Sequence, residues 1–166
     1  SIDEAIQPFK GISNLKVYMK SKPHKWGYKF WLMCDPWTGF TYAAPQYLGR
    51  KGDEKAETGP GRKVVEVLMS ATPPGTCAVA DRFFGSLATC QSMLDRRRHF
   101  MGTVRSDSMG FPLQLSQPGR TMFAHNRGHT LFTSMIYQNE LITAVRWQDR
   151  QHVLYVSTKA TGGFAG

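Results

Sequence analysis

The run Trp26 to Cys34 (WGYKFWLMC) constrains this chain more than any other stretch. Tyr28, Phe30, Leu32 and Cys34 alternate with Lys29, Trp31 and Met33, so both faces of an extended segment here are largely apolar. Such a run reads as a central strand covered on both sides. It is closed by Asp35 and the turn residues Pro36 to Gly39. A second, shorter run, Cys77 to Ala80 (CAVA), is closed in the same way by Asp81. A carboxylate just past a buried strand leaves the core but keeps a fixed position. If the two strands are neighbours, the two like charges need a cation between them, and hard Mg²⁺ or Mn²⁺ suits oxygen ligands. The plainer reading of each Asp is a turn former or helix cap.

The chain has 166 residues, enough for one domain with a real core. No stretch of about 18 apolar residues occurs, so no membrane span is expected. The three cysteines, Cys34, Cys77 and Cys90, show no paired or metal-like spacing and read as reduced, buried thiols. A net charge of +9, from 21 Lys and Arg against 12 Asp and Glu, favours anionic partners, nucleic acid first. The excess lies in the early lysines (Lys10, Lys16, Lys20, Lys22, Lys25 and Lys29), in Arg50, Lys51, Arg62 and Lys63, and in Arg96 to His99. Any one of these clusters is equally a solvated basic surface.

Residues 1 to 25 read as an extended lead-in with scattered apolar anchors. Phe40 to Leu48 reads as the strand returning from Trp26–Cys34, with Pro45 implying an edge or a bulge. Gly49 to Gly61 is a polar loop. A short helix is expected over 62 to 70, a strand ending at Asp81, and a helix from Leu87 to about Arg97 capped by Ser86. Phe100 to Val104 reads as another strand. Beyond Arg105 come four β-rich runs: Thr121 to Ala124, Thr130 to Tyr137, Leu141 to Trp147 and His152 to Thr158. Trp26, Tyr28 and Trp31 are expected in or near the core, and Phe83 and Phe84 at the start of the helix. Trp37, on the turn after Asp35, is the better candidate for touching a base or sugar. His24, His125, His129 and His152 form no ligand pattern.

Residues 2 to 11 (IDEAIQPFKG), 18 to 35, 81 to 86 (DRFFGS), 102 to 106 (GTVRS) and 147 to 158 together resemble, in order and spacing, the core of piggyBac-type transposases. The resemblance runs from Ser1 to about Thr158. It implies an RNase H-like mixed α/β sheet with helices, interrupted by a β-rich insertion domain. The implied division is a catalytic core over 1–106, the insertion over 107–158 and a flexible tail over 159–166. It also implies cut-and-paste DNA transposition by three aspartates and two divalent metals, Mg²⁺ or Mn²⁺. Asp35 would bridge the metals and Asp81 would bind one of them. Lys20, Lys22, Lys25, Trp37, Arg82 and Arg105 are the residues expected to meet DNA. Transposon ends as partner, a homodimer in the full-length context and a nuclear location follow from the same resemblance.

Some features depart from the family pattern. Its third acid usually lies in a GGVD-like motif, and Ala165 stands where that acid would fall, so the chain is expected to stop before the motif and to be inactive alone. Ile12 replaces a basic residue. Arg82 replaces an Asn, and either pairs with Asp81 or binds phosphate. A domesticated, transposase-derived protein that binds DNA or chromatin without chemistry is the alternative function.

Overall fold

The computed structural model describes residues 1–20, 22–49, 59–117 and 127–159. It divides into two compact units, Ser1–Pro60 and Gly61–Gly166.

In the first unit the apolar run forms one nine-residue strand, β3 (Trp26–Cys34), at the centre of a small antiparallel sheet. On one side it pairs with β1 (Ile2–Pro8) over seven residues, from Ile2 opposite Met33 to Pro8 opposite Gly27. On the other side it pairs with the two-residue β2 (Val17–Tyr18) and the three-residue β4 (Thr41–Ala43). The lead-in is therefore sheet in part. Asp3, Glu4 and Gln7 hide its strand character, and pairing with β3 supplies what composition does not. The returning strand is shorter than its apolar pattern suggests. The register shifts between Met33 and Cys34, and Pro45, which has no N–H, takes part only by accepting from Trp31 N at 3.0 Å.

The two faces of β3 differ. Trp31 and Met33 are buried on one, while Tyr28, Phe30, Leu32 and Cys34 are half-buried on the other. Trp26 corrects an expectation: it is 53% exposed, because it opens the strand and its neighbour β2 ends beside it.

The second unit carries a mixed sheet in the order β5-β6-β9-β8-β7, built from β5 (Cys77–Ala80), β6 (His99–Thr103), β9 (His152–Ser157), β8 (Glu140–Gln148) and β7 (Thr130–Tyr137). β5 and β6 are parallel, and all later pairings are antiparallel. The parallel pair needs a crossover, supplied by helix α2 (Leu87–Asp95). Ser86 caps it by accepting from Thr89 N at 3.0 Å, as its position before an apolar periodic run predicts. Helix α1 (Pro60–Met69) buries Val65, Leu68 and Met69, and a single turn, α3 (Leu113–Ser116), follows β6.

β7 and β8 form a hairpin whose two turn residues, Gln138 and Asn139, both have positive φ, the geometry that matches strand twist. The core holds Phe84, Cys90, Met93, Phe100, Ile142, Val145 and Val156. All three cysteines are free thiols, and burial pushes that of Cys90 up to about 12. Arg50 and Lys51, the β-rich run Thr121 to Ala124, His125 and the region sought for a third acid lie outside the described residues.

Candidate functional site

Asp81 follows the last residue of β5, where the chain turns toward α2. Its backbone carbonyl accepts from Phe84 N and Gly85 N, each at 3.1 Å. One carboxylate oxygen accepts from Phe83 N at 2.9 Å, and the side chain is otherwise open to solvent. Two glycines let the surroundings close on this turn. A Cβ on Gly61 would stand 2.2 Å from Phe83 O, and one on Gly85 would stand 1.9 Å from Thr103 O. Helix α1 and strand β6 therefore press directly on the turn backbone. Phe84 is buried beneath it, and Phe83 lies edge-on to Phe84 at 5.0 Å while staying 38% exposed.

Because β5 and β6 run parallel with Ala80 opposite Gly102, the residues just beyond each strand emerge at one end of the sheet. That end carries Asp81, Arg82 and Arg105, all exposed. Ligands of open α/β sheets bind at the carboxyl ends of the strands. Arg82 makes no ion pair with Asp81 among the described residues, which leaves its guanidinium available to an anion.

Asp35 sits in a different kind of turn. Its Oδ2 accepts from the Thr38 hydroxyl at 2.5 Å and from Thr38 N at 3.1 Å. Its backbone accepts from Gly39 N at 2.9 Å and donates to Phe40 O at 2.8 Å, with Gly39 at positive φ. The Thr38 hydroxyl bond, first among the causes, holds the Asp35 carboxyl below the usual carboxylate range. Trp37, at the tip of this turn, is 93% exposed.

The predicted lysines divide. Lys20 and Lys25 are exposed. Lys22 is tied to Glu4, with Nζ 3.9 Å from the carboxylate and 3.3 Å from its carbonyl, and Glu4 also pairs with Lys29 at 2.8 Å. One acid was passed over in the sequence. Asp3 lies on β1 opposite Leu32, exposed, with only the neighbouring Glu4 N donating to its carboxylate among the described residues. The signal was an acid inside a strand rather than after one.

Both Asp81 and Asp35 offer hard oxygen donors at exposed turns, a donor chemistry that fits Mg²⁺ or Mn²⁺. Among the described residues, no group of three or more His, Cys, Asp or Glu side chains gathers into a metal cluster.

A mixed α/β sheet whose parallel pair is joined by a capped crossover helix is an RNase H-like arrangement, and it is shared with a solved structure. The family model for Transposase IS4 matches residues 1–164, and the chain belongs to that family, as a piggyBac-type member. It is 31% identical over 112 residues to the human piggyBac transposable element-derived protein 3, a match covering 64% of this chain and 19% of that protein. The human chimeric ERCC6-PGBD3 protein matches over the same share of this chain, which is 10% of its own length. A solved piggyBac transposase synaptic complex with hairpin DNA shares the fold with a TM-score of 0.80 at 24% identity, over 98% of this chain and 34% of that one. The chain thus spans a fifth or less of the curated relatives it matches. No helix among the described residues is long and apolar enough to cross a membrane.

Proposed function

We propose that this chain is part of the catalytic core of a nuclear, DNA-cleaving and DNA-joining transposase, with residues 107–158 as its β-rich insertion and Asp81 and Asp35 as metal-binding acids. The observation that carries the proposal is the end of the β5–β6 pair: an exposed carboxylate on a braced turn, flanked by two exposed arginines, in a fold shared with a transposase. Bound Mg²⁺ or Mn²⁺ would supply Lewis acidity for attack at a phosphodiester and for departure of the leaving oxygen. Asp81 holds a carboxylate oxygen toward solvent at a fixed position. Arg82 and Arg105 hold phosphate oxygens beside it. The buried Phe84 and the two close-packed glycines keep that carboxylate from wandering.

The role of Asp35 has a rival in Asp3. Asp35 spends its carboxylate on Thr38, whereas Asp3 presents its own from a paired strand. Mn²⁺ titration with amide line broadening decides among the three. Broadening is expected around Phe83 and Phe84 and is lost in Asp81→Asn. Broadening unchanged in that variant would remove the metal reading. Loss in Asp35→Asn but not Asp3→Asn keeps Asp35, and the reverse installs Asp3.

The second reading, a transposase-derived protein that binds DNA or chromatin without chemistry, is favoured by Asp35 being committed to its own turn and by a relative named as transposable element-derived. Mn²⁺-dependent nicking of supercoiled plasmid that disappears in Asp81→Asn would exclude it.

A further inference from the structure

We infer that the first unit carries a single-stranded DNA cleft at the Trp26 end of β3, where unpaired bases stack on aromatic rings and lysines hold the backbone. The inference rests on the DNA reading proposed above and assigns the form of DNA that this surface takes. The cleft is about 470 Å³ and is lined by Phe9, Lys10, Lys16, His24, Lys25 and Trp26, with two prolines and no acid. Of these, only Lys25 is among the residues that the family resemblance marks as meeting DNA.

Its two aromatic lining residues, Trp26 and Phe9, are each packed against a further ring outside the cleft. Tyr18 lies opposite Trp26 with ring centroids 4.9 Å apart, and two residues on Tyr28 stacks on Phe9, also at 4.9 Å. Tyr18 and Trp26 are each about half exposed, at 50% and 53%. Lys16 is held in place. Its Nζ donates to Gly11 O at 2.7 Å and stands 5.4 Å from the centre of the Trp26 ring. Gly11 itself lies so close to Phe9 that a Cβ there would stand 2.6 Å from the ring. The loop between β1 and β2 is thereby folded down to make one wall. The other is the Pro23–Lys25 bend, closed by Met19 N donating to Lys25 O at 2.7 Å.

A duplex keeps its base faces stacked inside, so exposed aromatic faces next to lysines gain most from unpaired bases. Duplex DNA would meet only the lysines, through phosphate.

The test is fluorescence anisotropy of a labelled oligothymidylate of about 12 nucleotides and of a duplex of equal length, at several salt concentrations. The wild-type chain should bind the single strand more tightly. Trp26→Ala should weaken single-strand binding about ten-fold and leave the duplex unchanged, and Trp26→Phe should retain most of it. Lys10→Gln and Lys25→Gln, both at exposed positions, should each reduce the single-strand salt slope by about 0.7 and serve as the test if Trp26→Ala fails to fold. A duplex preference in the wild type, or wild-type single-strand affinity in a folded Trp26→Ala or in the doubly substituted lysine variant, would overturn the cleft. A chain that binds oligothymidylate but shows no Mn²⁺ broadening around Phe83 and Phe84 keeps the cleft and loses the catalytic reading. A chain that nicks DNA while folded Trp26→Ala binds normally loses only the cleft.

Discussion

The turns after β3 and after β5 look alike in sequence, an apolar run followed by Asp and an aromatic, yet they are held in opposite ways. The Asp81 turn is braced from outside, by the helix and strand backbones that crowd Gly61 and Gly85 and by Phe84 in the core. The Asp35 turn is held from within, by Thr38 bonding back to the carboxylate, and its aromatic, Trp37, stands in solvent. A carboxylate that organises its own turn has fewer lone pairs left for chemistry. Asp81 gives up one such bond, to Phe83 N, against the two that Asp35 gives to Thr38.

The comparison breaks first at the core. Phe84→Ala should cost about 3–5 kcal/mol in chemical denaturation and displace the Asp81 turn, while Trp37→Ala should change stability by no more than about 0.5 kcal/mol. Near-equal effects would show that the two turns are supported alike. Gly85→Ala comes next. A Cβ at 1.9 Å from a backbone oxygen forces the backbone apart, and a loss of about 1–3 kcal/mol is expected, with the amide shifts of Thr103 moving. Ser86→Ala removes the cap of α2 and should cost about 1 kcal/mol by the same measurement.

The smallest effect sharpens the other side. Asp35 titrates below its ordinary value in the folded chain, so its contribution to stability is present above the unfolded-state value and is lost as pH falls through the lowered one. Thr38→Val should raise the Asp35 carboxyl value seen by carbon NMR and remove that acid-side dependence. An unmoved titration would mean that Thr38 is not what holds it.

Strand and helix placement was largely legible. Trp26–Cys34, Cys77–Ala80 and Thr130–Tyr137 fall on the bounds that their apolar runs suggest, and Ser86 caps the helix as its position implies. β1 was not legible, because Asp3 and Glu4 put an acid on each face and break its alternation, so the strand draws its stability from its partner rather than from its own pattern. Nor could periodicity say that β9 would take β6 as neighbour, since pairing depends on the sheet and not on the strand. At the candidate site, the residue types around Asp81 were visible and their convergence at one sheet end was not. The Thr38 bond that sets Asp35 apart is local, and an Asp followed three residues later by Thr was a readable sign of it. Trp26 was misplaced because strand aromatics usually pack, and a strand's first residue escapes that rule.

The pairing of β6 with β9 has a consequence for synthesis on the ribosome. β6 is made early, and one of its edges waits with open hydrogen-bonding groups until His152–Ser157 emerges. During that interval the nascent chain offers a bare strand edge, a template on which another chain can pair wrongly.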